Sequence, residues 1–344
     1  MKIIVATSSP PFVSGGHLVI AKELVNAINE YGHKAELLLT PQNSFGKVYQ
    51  AYISTRLIDL SEDGVGDKID KVISFRYPSY ALKHSNHTLW LNHRMREYYD
   101  LWENFKNQLS RRGKIKETIK RKIIFGFDRY FLNRVKNIFV QSENIAKRLE
   151  RWGNFKNKVL YPPPPNREYR VDGYNNTIFT VSRLVNHKRV DFLIKALKHV
   201  QSDEIDVRVA GHGPELQSLK NLVSRLNLGN RVKFLGKISE DKLIEEYAKC
   251  GAVYYAPYNE DYGFVTVEAF SSFKPVISTD DSGGVKELIE KSGGGILSEA
   301  VPEKIAASID KLFEKRETLL SLGDKGNGWV SQLRWEDTVK ILLK

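Results

Sequence analysis

Two glutamates stand eight residues apart, on either side of a glycine, in the segment 260–268, which reads EDYGFVTVE. Gly263 is placed to open a helix, so that Glu268 lies on the helix and Glu260 lies in the loop before it. Carboxylates in this arrangement are suited to hold the vicinal hydroxyls of a sugar or a ribose by charge-assisted hydrogen bonds. Nothing in the spacing requires them to flank one glycosidic bond, as glycoside hydrolysis needs. Two surface glutamates on a polar helix are the alternative interpretation.

The start of the same helix presents amide groups that have no acceptor within the helix. They form a candidate site for an anion or a hydroxyl group. The residues concerned are Gly263, Phe264 and Val265.

Two cations follow a predicted strand over residues 178–181. Arg183 and Lys188 lie five residues apart in the loop after that strand. The carboxyl ends of parallel strands face the ligand crevice of an open α/β sheet, and an arginine fork with a lysine can clamp a diphosphate from two sides. A solvated basic loop is the alternative.

Two glycine loops also follow predicted strands. One contains Gly211 and Gly213 and runs into Pro214, which suits the first turn of a helix. The other contains Gly15 and Gly16 at a strand-to-helix turn near the start of the chain. Glycines let the backbone approach a ligand closely, and the helix N-terminus favours an anion. Tight turns with a purely structural role remain the alternative for both loops.

The elements that would position these residues form two series of alternating strands and helices. Tyr161 and four successive prolines separate the series, and such a run forms a stiff extended segment. We therefore predict an α/β protein with two Rossmann-like, doubly wound parallel sheets. The expected parts are an N-terminal domain over residues 1–165, a C-terminal domain over 166–330 and a helix over 331–344 that packs on the N-terminal domain.

The net positive charge of the chain comes from its first half. The net charge of the whole chain is +12, with a balance of +13 in residues 1–170 and −1 in residues 171–344. Such asymmetry indicates an anionic partner for the first half. Nucleic acid, an anionic membrane surface and an acidic substrate all fit this charge.

Several classes of protein are unlikely on composition alone. The single cysteine, Cys250, cannot form an internal disulfide or a thiolate metal cluster, and the eight histidines are scattered. No apolar run approaches the length of a membrane span, and the start of the chain has no secretory signal pattern. We expect neither a zinc enzyme, nor a secreted protein, nor an integral membrane protein.

Taken together and in this order, the four motifs resemble the family-four retaining glycosyltransferases, which have the GT-B fold. The resemblance is strongest between Ser182 and Glu287. It implies two Rossmann-like domains that face an interdomain cleft, the N-terminal one binding the acceptor and the C-terminal one binding a nucleotide-sugar.

The resemblance also implies a role for each charged residue. Arg183 and Lys188 would hold the diphosphate of the donor, with Arg189 as a residue that could share the role of Lys188. Glu268 would bind the ribose hydroxyls and Glu260 the hydroxyls of the transferred sugar.

A histidine and several glycines complete the implied site. The family places a histidine after an N-domain strand, near the transferred sugar, and His93 matches that place better than His87, which comes before the strand. The donor-binding residues implied besides Glu268 are Gly15, Gly16, Gly211, Gly213, Gly263, Phe264 and Val265.

The implied activity is transfer of a sugar from a nucleotide-diphosphate sugar to a glycan or a lipid-linked acceptor, with retention of anomeric configuration. The segment 261–266 and the later run Asp281-Ser282-Gly283-Gly284 slightly favour GDP-mannose over a UDP-sugar. No DxD-type metal motif stands out, and two cations can replace a metal, so we expect no metal and no cofactor.

Residues 106–136 carry eleven lysines and arginines against two acids, with isoleucines and phenylalanines every four residues: Ile115, Ile119, Ile123, Phe127 and Phe131. A basic amphipathic helix of this kind can lie on an anionic membrane. A core helix with a charged outer face is the other interpretation. We expect a cytoplasmic protein, with peripheral binding at the inner face of the membrane left open.

Two other functions compete with a transferase. A GT-B nucleotide-sugar 2-epimerase needs no acceptor, but its acid and base residues have less support in the sequence. A basic nucleic-acid-binding protein fits the charge of the first half, but no recognised nucleic-acid-binding signature accompanies it. We therefore expect no nucleic acid partner.

Overall fold

The computed structural model describes residues 1–10, 15–42 and 47–344 of the chain. These residues form two compact units. One comprises residues 1–162 together with 334–344, and the other comprises residues 163–333.

The first unit is built on a six-stranded parallel sheet with the strand order β2-β1-β3-β4-β5-β6. The central strands β3 and β4 are buried along their whole length, as a parallel sheet covered by helices requires, whereas β2 and β6 are partly exposed. Their bounds are β1 Lys2–Ser8, β2 Lys34–Thr40, β3 Lys71–Ser74, β4 His87–Leu91, β5 Asn137–Val140 and β6 Lys158–Val159.

Helices connect these strands and bury one face each. The first helix buries Ile20, Leu24 and Ile28, which recur at the helical period, and ends before Gly32. The helices are α1 Gly16–Glu30, α2 Val48–Arg56, α3 Trp102–Asn107, α4 Arg111–Leu132 and α5 Glu143–Arg151.

A buried carboxylate, Asp128, ties α4 to the rest of this unit. The hydroxyls of Tyr52 and Tyr80 donate to its Oδ1 atom, and the Tyr99 hydroxyl donates to its Oδ2 atom at 2.5 Å. A buried carboxyl group is tolerated only when it is hydrogen-bonded, and three tyrosines meet that need here. The cluster therefore sets which face of α4 points inward.

The inward face of α4 is not the face that the isoleucines occupy. Its buried residues include Lys120, Ile124 and Asp128, whereas Ile115, Ile119 and Ile123 are 66 %, 57 % and 43 % exposed. The core alternative is therefore wrong for these three isoleucines, although Phe131 further along the helix is buried. The isoleucine stripe lies about 100° around the helix from the stripe that Asp128 anchors.

The second unit has its own six-stranded parallel sheet, with the order β12-β11-β10-β7-β8-β9. Strand β7 comes first in the sequence, and the later strands are added on both sides of it, which makes the sheet doubly wound. The strands are β7 Thr177–Val181, β8 Asp206–Ala210, β9 Val232–Gly236, β10 Ala252–Tyr254, β11 Val276–Thr279 and β12 Gly295–Ser298. The predicted fold class, with two parallel α/β sheets, is confirmed.

Eight further helices follow. Six of them lie between or directly after the strands of the second sheet: α6 Val190–Leu197, α7 Leu216–Arg225, α8 Glu240–Lys249, α9 Phe264–Ser271, α10 Gly284–Ser292 and α11 Pro302–Phe313. The last two are α12 Arg316–Val330 and α13 Trp335–Leu343, and α13 belongs to the first unit, where the Trp335 ring meets the Trp90 ring edge-on.

The cysteine of the chain lies inside the second unit. Cys250 follows α8, is 1 % exposed and donates through Sγ to the carbonyl oxygen of Tyr247. Burial raises the pKa of the Cys250 thiol to about 12.

Candidate active site

Two loops of the second unit lie against each other at the carboxyl ends of β7 and β8. The amide of Ser182 donates to the carbonyl of Ala210, and the amide of Leu184 donates to that of His212. A Cβ atom on Gly211 would come within 1.9 Å of the Ser182 carbonyl oxygen, and Gly211 has a φ of +123°. A Cβ atom on Gly213 would similarly meet the Leu184 carbonyl oxygen. Both glycines are therefore required by the contact between the loops, whatever they contribute to a ligand.

Lys188 contacts Glu260 at this edge of the sheet. Lys188 lies at the end of a short 3₁₀ turn and donates through Nζ to Glu260 Oε2 at 2.6 Å and to the Tyr255 hydroxyl at 2.8 Å. Burial alone lowers the pKa of Lys188, but Glu260 and Tyr255 reverse the effect and raise it above its ordinary value. The amine is therefore protonated at neutral pH. The structure brings the predicted diphosphate-binding lysine and the predicted sugar-binding glutamate into one site.

The neighbouring arginine has another partner. Arg189 donates through both terminal nitrogens to the two carboxylate oxygens of Asp281, each at 2.7 Å. This bidentate pair commits the guanidinium to the loop after β11. Lys188 rather than Arg189 contacts Glu260.

Arg183 lies in the same loop as Lys188 but is exposed to solvent. The described residues give its side chain no ion pair. Its guanidinium is available to an anion that reaches this edge of the sheet.

The loop that carries Glu260 is held in place by backbone contacts. The Glu260 amide donates to the Ser282 carbonyl at 3.1 Å, and the Gly284 amide donates to the Glu260 carbonyl at 2.9 Å. A Cβ atom on Gly284 would lie 2.6 Å from the Asp261 carbonyl oxygen, so only glycine allows this approach. The loop 282–284 therefore positions Glu260.

Gly263 caps α9 in the left-handed conformation, with a φ of +93°. Phe264 and Val265 are the first helical residues, and their amides have no acceptor within the helix. The backbone thus presents these two amides at the helix N-terminus where the sequence predicts a site for an anion or a hydroxyl group.

Glu268 lies on α9 and is 5 % exposed. Its Oε1 atom accepts from Arg167 Nη1, and its Oε2 atom accepts from the Tyr247 hydroxyl at 3.0 Å. Glu260 and Glu268 thus bind different cations, which argues against a carboxylate pair that flanks one scissile bond.

The remaining predicted site residues belong to the first unit. His93 follows β4, and its Nδ1 atom lies 2.5 Å from the Arg94 carbonyl oxygen. Gly15 is the extended residue before α1, and Gly16 is the exposed first residue of that helix. His87, its rival, is the buried first residue of β4 and contacts Ser74 at 2.7 Å.

The sequence does not predict four partners of the charged residues, which are Tyr255, Asp281, Arg167 and Tyr247. Tyr255 lies inside the apolar run 252–256, which predicts a strand, whereas in the structure it directly follows β10. Asp281 stands in the sequence only as part of a glycine loop, and Arg167 carries no local motif and lies 101 residues from Glu268. Only the fold brings such pairs together.

The described residues hold no group of three or more histidine, cysteine or carboxylate side chains placed as metal ligands. None of their helices is both long enough and apolar enough to cross a membrane.

Comparison with known proteins places the second unit in a family. Residues 166–329 match the model of the glycosyl transferases group 1. An uncharacterised glycosyltransferase of Methanocaldococcus jannaschii is 29 % identical over 235 residues, 67 % of this chain and 64 % of that protein. A GDP-mannose-dependent α-(1-6)-phosphatidylinositol monomannoside mannosyltransferase of Mycobacterium tuberculosis is 28 % identical over 182 residues, 49 % of this chain and 46 % of that protein. The alignments thus span about half to two thirds of the relatives' own length.

Solved structures extend the likeness to the whole chain. A sucrose-phosphate synthase from Thermosynechococcus elongatus has a TM-score of 0.78 and 16 % identity, over 98 % of this chain and 97 % of that one. HepE of Anabaena, solved with UDP and glucose, has a TM-score of 0.71 and 18 % identity, over 100 % and 98 % of the two chains.

The fold and the loops at the sheet edge define a two-domain α/β protein of the GT-B class. Within that class, residues 166–329 match the group 1 glycosyltransferases, and the matched residues include Lys188, Glu260 and Glu268.

Proposed function

We propose that this protein is a retaining hexosyltransferase that moves a sugar from a nucleotide-diphosphate sugar to a glycan or lipid-linked acceptor. The observation that carries the proposal is the contact of Lys188 with Glu260 in the family-matched unit. A protonated amine beside a carboxylate suits the junction between a diphosphate and a sugar, where one ligand presents negative charge and hydroxyl donors side by side.

The residues divide between the two parts of the donor. Lys188 and the exposed Arg183 bind the diphosphate, and the amides of Phe264 and Val265 add donors at a helix N-terminus. Glu260 accepts hydrogen bonds from the sugar hydroxyls, and Glu268 from those of the ribose. His93 contacts the transferred sugar, and the backbone at Gly16 contacts phosphate.

The reaction follows front-face substitution. The bond between the anomeric carbon and the phosphate oxygen breaks, and the acceptor oxygen bonds to the same face of that carbon. The acceptor's proton passes to the departing phosphate, whose developing charge Lys188 and Arg183 stabilise. Glu260 is ion-paired with Lys188, so we do not assign it as the nucleophile of a double displacement.

GDP-mannose is the favoured donor and a UDP-sugar is the second choice. The mycobacterial relative is described as GDP-mannose-dependent, whereas the Anabaena structure contains UDP. The two cations supply the charge that a metal provides in other transferases, so we expect transfer to be unaffected by EDTA.

A thermal-shift screen of GDP-mannose, UDP-glucose, ADP-glucose and an oligonucleotide tests the proposal. A stabilising donor raises the Tm, because it binds the native state alone. The retained configuration is then checked by the anomeric NMR signal of the product. Stabilisation by the oligonucleotide alone would instead support a nucleic-acid-binding protein, and formation of the 2-epimer without acceptor would support an epimerase.

We further propose that α4 docks on an anionic membrane surface, which would bring a lipid-linked acceptor to the first unit. The exposed Ile115, Ile119 and Ile123 form a stripe, and exposed cations accompany it on the same helix: Arg111, Arg112, Lys116, Lys122 and Arg129. Apolar side chains flanked by cations match the acyl and headgroup layers of an anionic leaflet.

Liposome flotation with and without phosphatidylglycerol tests this docking. Ile119→Ser with Ile123→Ser should abolish flotation with the anionic vesicles, whereas the matched control, Leu320→Ser with Ile341→Ser, changes exposed apolar residues elsewhere and should leave it intact. Equal flotation of both double variants would show that α4 is not the docking surface.

A further inference from the structure

Glu268 is held by a cation that comes from a distant part of the sequence. Arg167 lies in the segment between the proline run and β7, and its Nη1 atom donates to Glu268 Oε1. On the other side, the Tyr247 hydroxyl of α8 donates to Oε2 at 3.0 Å. Both Arg167 and Glu268 are largely buried. The carboxylate is therefore clamped from two sides before any ligand arrives.

We propose that Arg167 is a positioning residue for the nucleotide site, and that it holds the Glu268 carboxylate oriented to accept the two hydroxyls of a ribose. The inference rests on the proposed function, since it deepens the role given there to Glu268.

The hydrogen-bond capacity of the carboxylate supports this role. Each carboxylate oxygen has two lone-pair sites, so an ionised carboxylate can accept about four hydrogen bonds. Arg167 takes one site on Oε1 and Tyr247 takes one on Oε2. One site on each oxygen remains, which matches the two donors of a vicinal diol. A protonated carboxyl group would lose part of this capacity.

The charges around Glu268 show why a cation is needed. Burial holds the pKa of Glu268 above its ordinary value and Glu240 adds to the rise, whereas Arg167 and Tyr247 oppose it. Of the groups that face Glu268, which also include Tyr169, Arg167 is the cation. Arg167 also pairs with Glu240 at 3.3 Å, which draws it toward the start of α8. Removal of Arg167 would therefore favour the protonated form of Glu268.

The opposite role for Arg167 makes a different prediction. If Arg167 occupied the place of the ribose, its removal would increase the affinity for a nucleotide. If it positions Glu268, removal decreases the affinity, and only for nucleotides that carry the ribose hydroxyls.

Calorimetric titration of GDP and 2′,3′-dideoxy-GDP into the full chain separates these roles; UDP and its dideoxy form replace them if the donor screen selects UDP. We expect the wild-type protein to prefer GDP and Arg167→Ala to bind GDP about tenfold more weakly, as expected for a lost charge-assisted hydrogen bond. Dideoxy-GDP should bind both proteins equally. Arg167→Lys should recover part of the loss, and Arg170→Ala, which removes a half-exposed arginine paired with Asp172, should have no effect.

A double-mutant cycle completes the test. Arg167→Ala should add nothing to Glu268→Gln if it acts through that carboxylate. Additive losses, an equal loss for both nucleotides, stronger GDP binding by Arg167→Ala, or a wild-type protein that does not distinguish GDP from its dideoxy form would each overturn the inference. A wild-type protein that binds no nucleotide would refute the proposed function itself.

Discussion

At the scale of single residues, the site is defined by which cation binds which carboxylate. Lys188 binds Glu260, Arg189 binds Asp281 and Arg167 binds Glu268. The motif in the sequence presents Lys188 and Arg189 as equivalent neighbours. The pairing separates them, because both terminal nitrogens of Arg189 already bind Asp281.

Under the proposed function, Lys188→Ala should lower the transfer rate by at least about 100-fold, since it would remove a charge that stabilises the departing phosphate. Turnover with the donor identified by the screen measures the effect. Lys195→Ala is the matched control, because Lys195 is a half-exposed lysine of α6 that pairs with Asp191. Wild-type turnover in Lys188→Ala would remove Lys188 from the site.

The sequence predicts these residues to different extents. Glu260, Glu268 and Lys188 are marked by motifs that follow strands, and Lys188 and Glu260 do meet at one sheet edge. Arg167 could not be predicted, because its partner is 101 residues away and no local pattern records the contact. The roles of all the predicted site residues, Lys188, Glu260 and Glu268 included, remain predictions.

At the scale of elements, the loops after the strands depend on backbone contacts that exclude side chains. Gly211 and Gly213 let the loops after β7 and β8 touch, and Gly284 lets the loop after β11 hold Glu260. The glycines that the sequence marks for ligand binding thus have a packing role in the structure as well. A tight structural turn and a ligand-binding loop are therefore compatible interpretations of the loop with Gly211 and Gly213.

Gly211→Ala should lower the free energy of unfolding by roughly 2 kcal/mol or more, because the new Cβ atom meets the Ser182 carbonyl oxygen and φ is positive. The displaced loop carries Lys188, so nucleotide affinity should fall as well. Urea denaturation and calorimetric titration measure the two effects. Gly229→Ala, where no atom lies within 4 Å of the new Cβ, is the control. Equal stability of the two variants would contradict the close approach.

Helix α4 shows where periodicity fails as a predictor. Isoleucines every four residues predict an apolar face but do not say whether that face meets the core. In the structure the stripe one residue further along, with Lys120, Ile124 and Asp128, is buried instead. Three tyrosine hydroxyls bind Asp128 on this buried stripe, and these tyrosines lie on other elements, so no periodicity within α4 records the contact.

At the scale of the whole molecule, the alternation of strands and helices predicts two parallel sheets, and both are present. Strand ends were harder to predict, since β10 ends at Tyr254 although the apolar run continues to Ala256. Pro257 follows, and a proline has no N–H group to donate to a neighbouring strand. The charge asymmetry follows the same division, because the basic excess lies before the second unit begins.

Because the Cys250 thiol is buried, its reaction with a labelling reagent measures how often this region of the second unit opens. Cys250 is the single thiol of the chain and is buried. A thiol-labelling reagent can therefore react only when this region becomes exposed by local opening. Tyr247 joins the thiol to Glu268, since its carbonyl oxygen accepts from Sγ and its hydroxyl donates to the carboxylate. A nucleotide at 100 times its Kd should therefore slow labelling about 100-fold under conditions where reclosing outpaces the reagent. An unchanged labelling rate would show that this region opens independently of the nucleotide site, and the time course needs neither an acceptor nor an introduced probe.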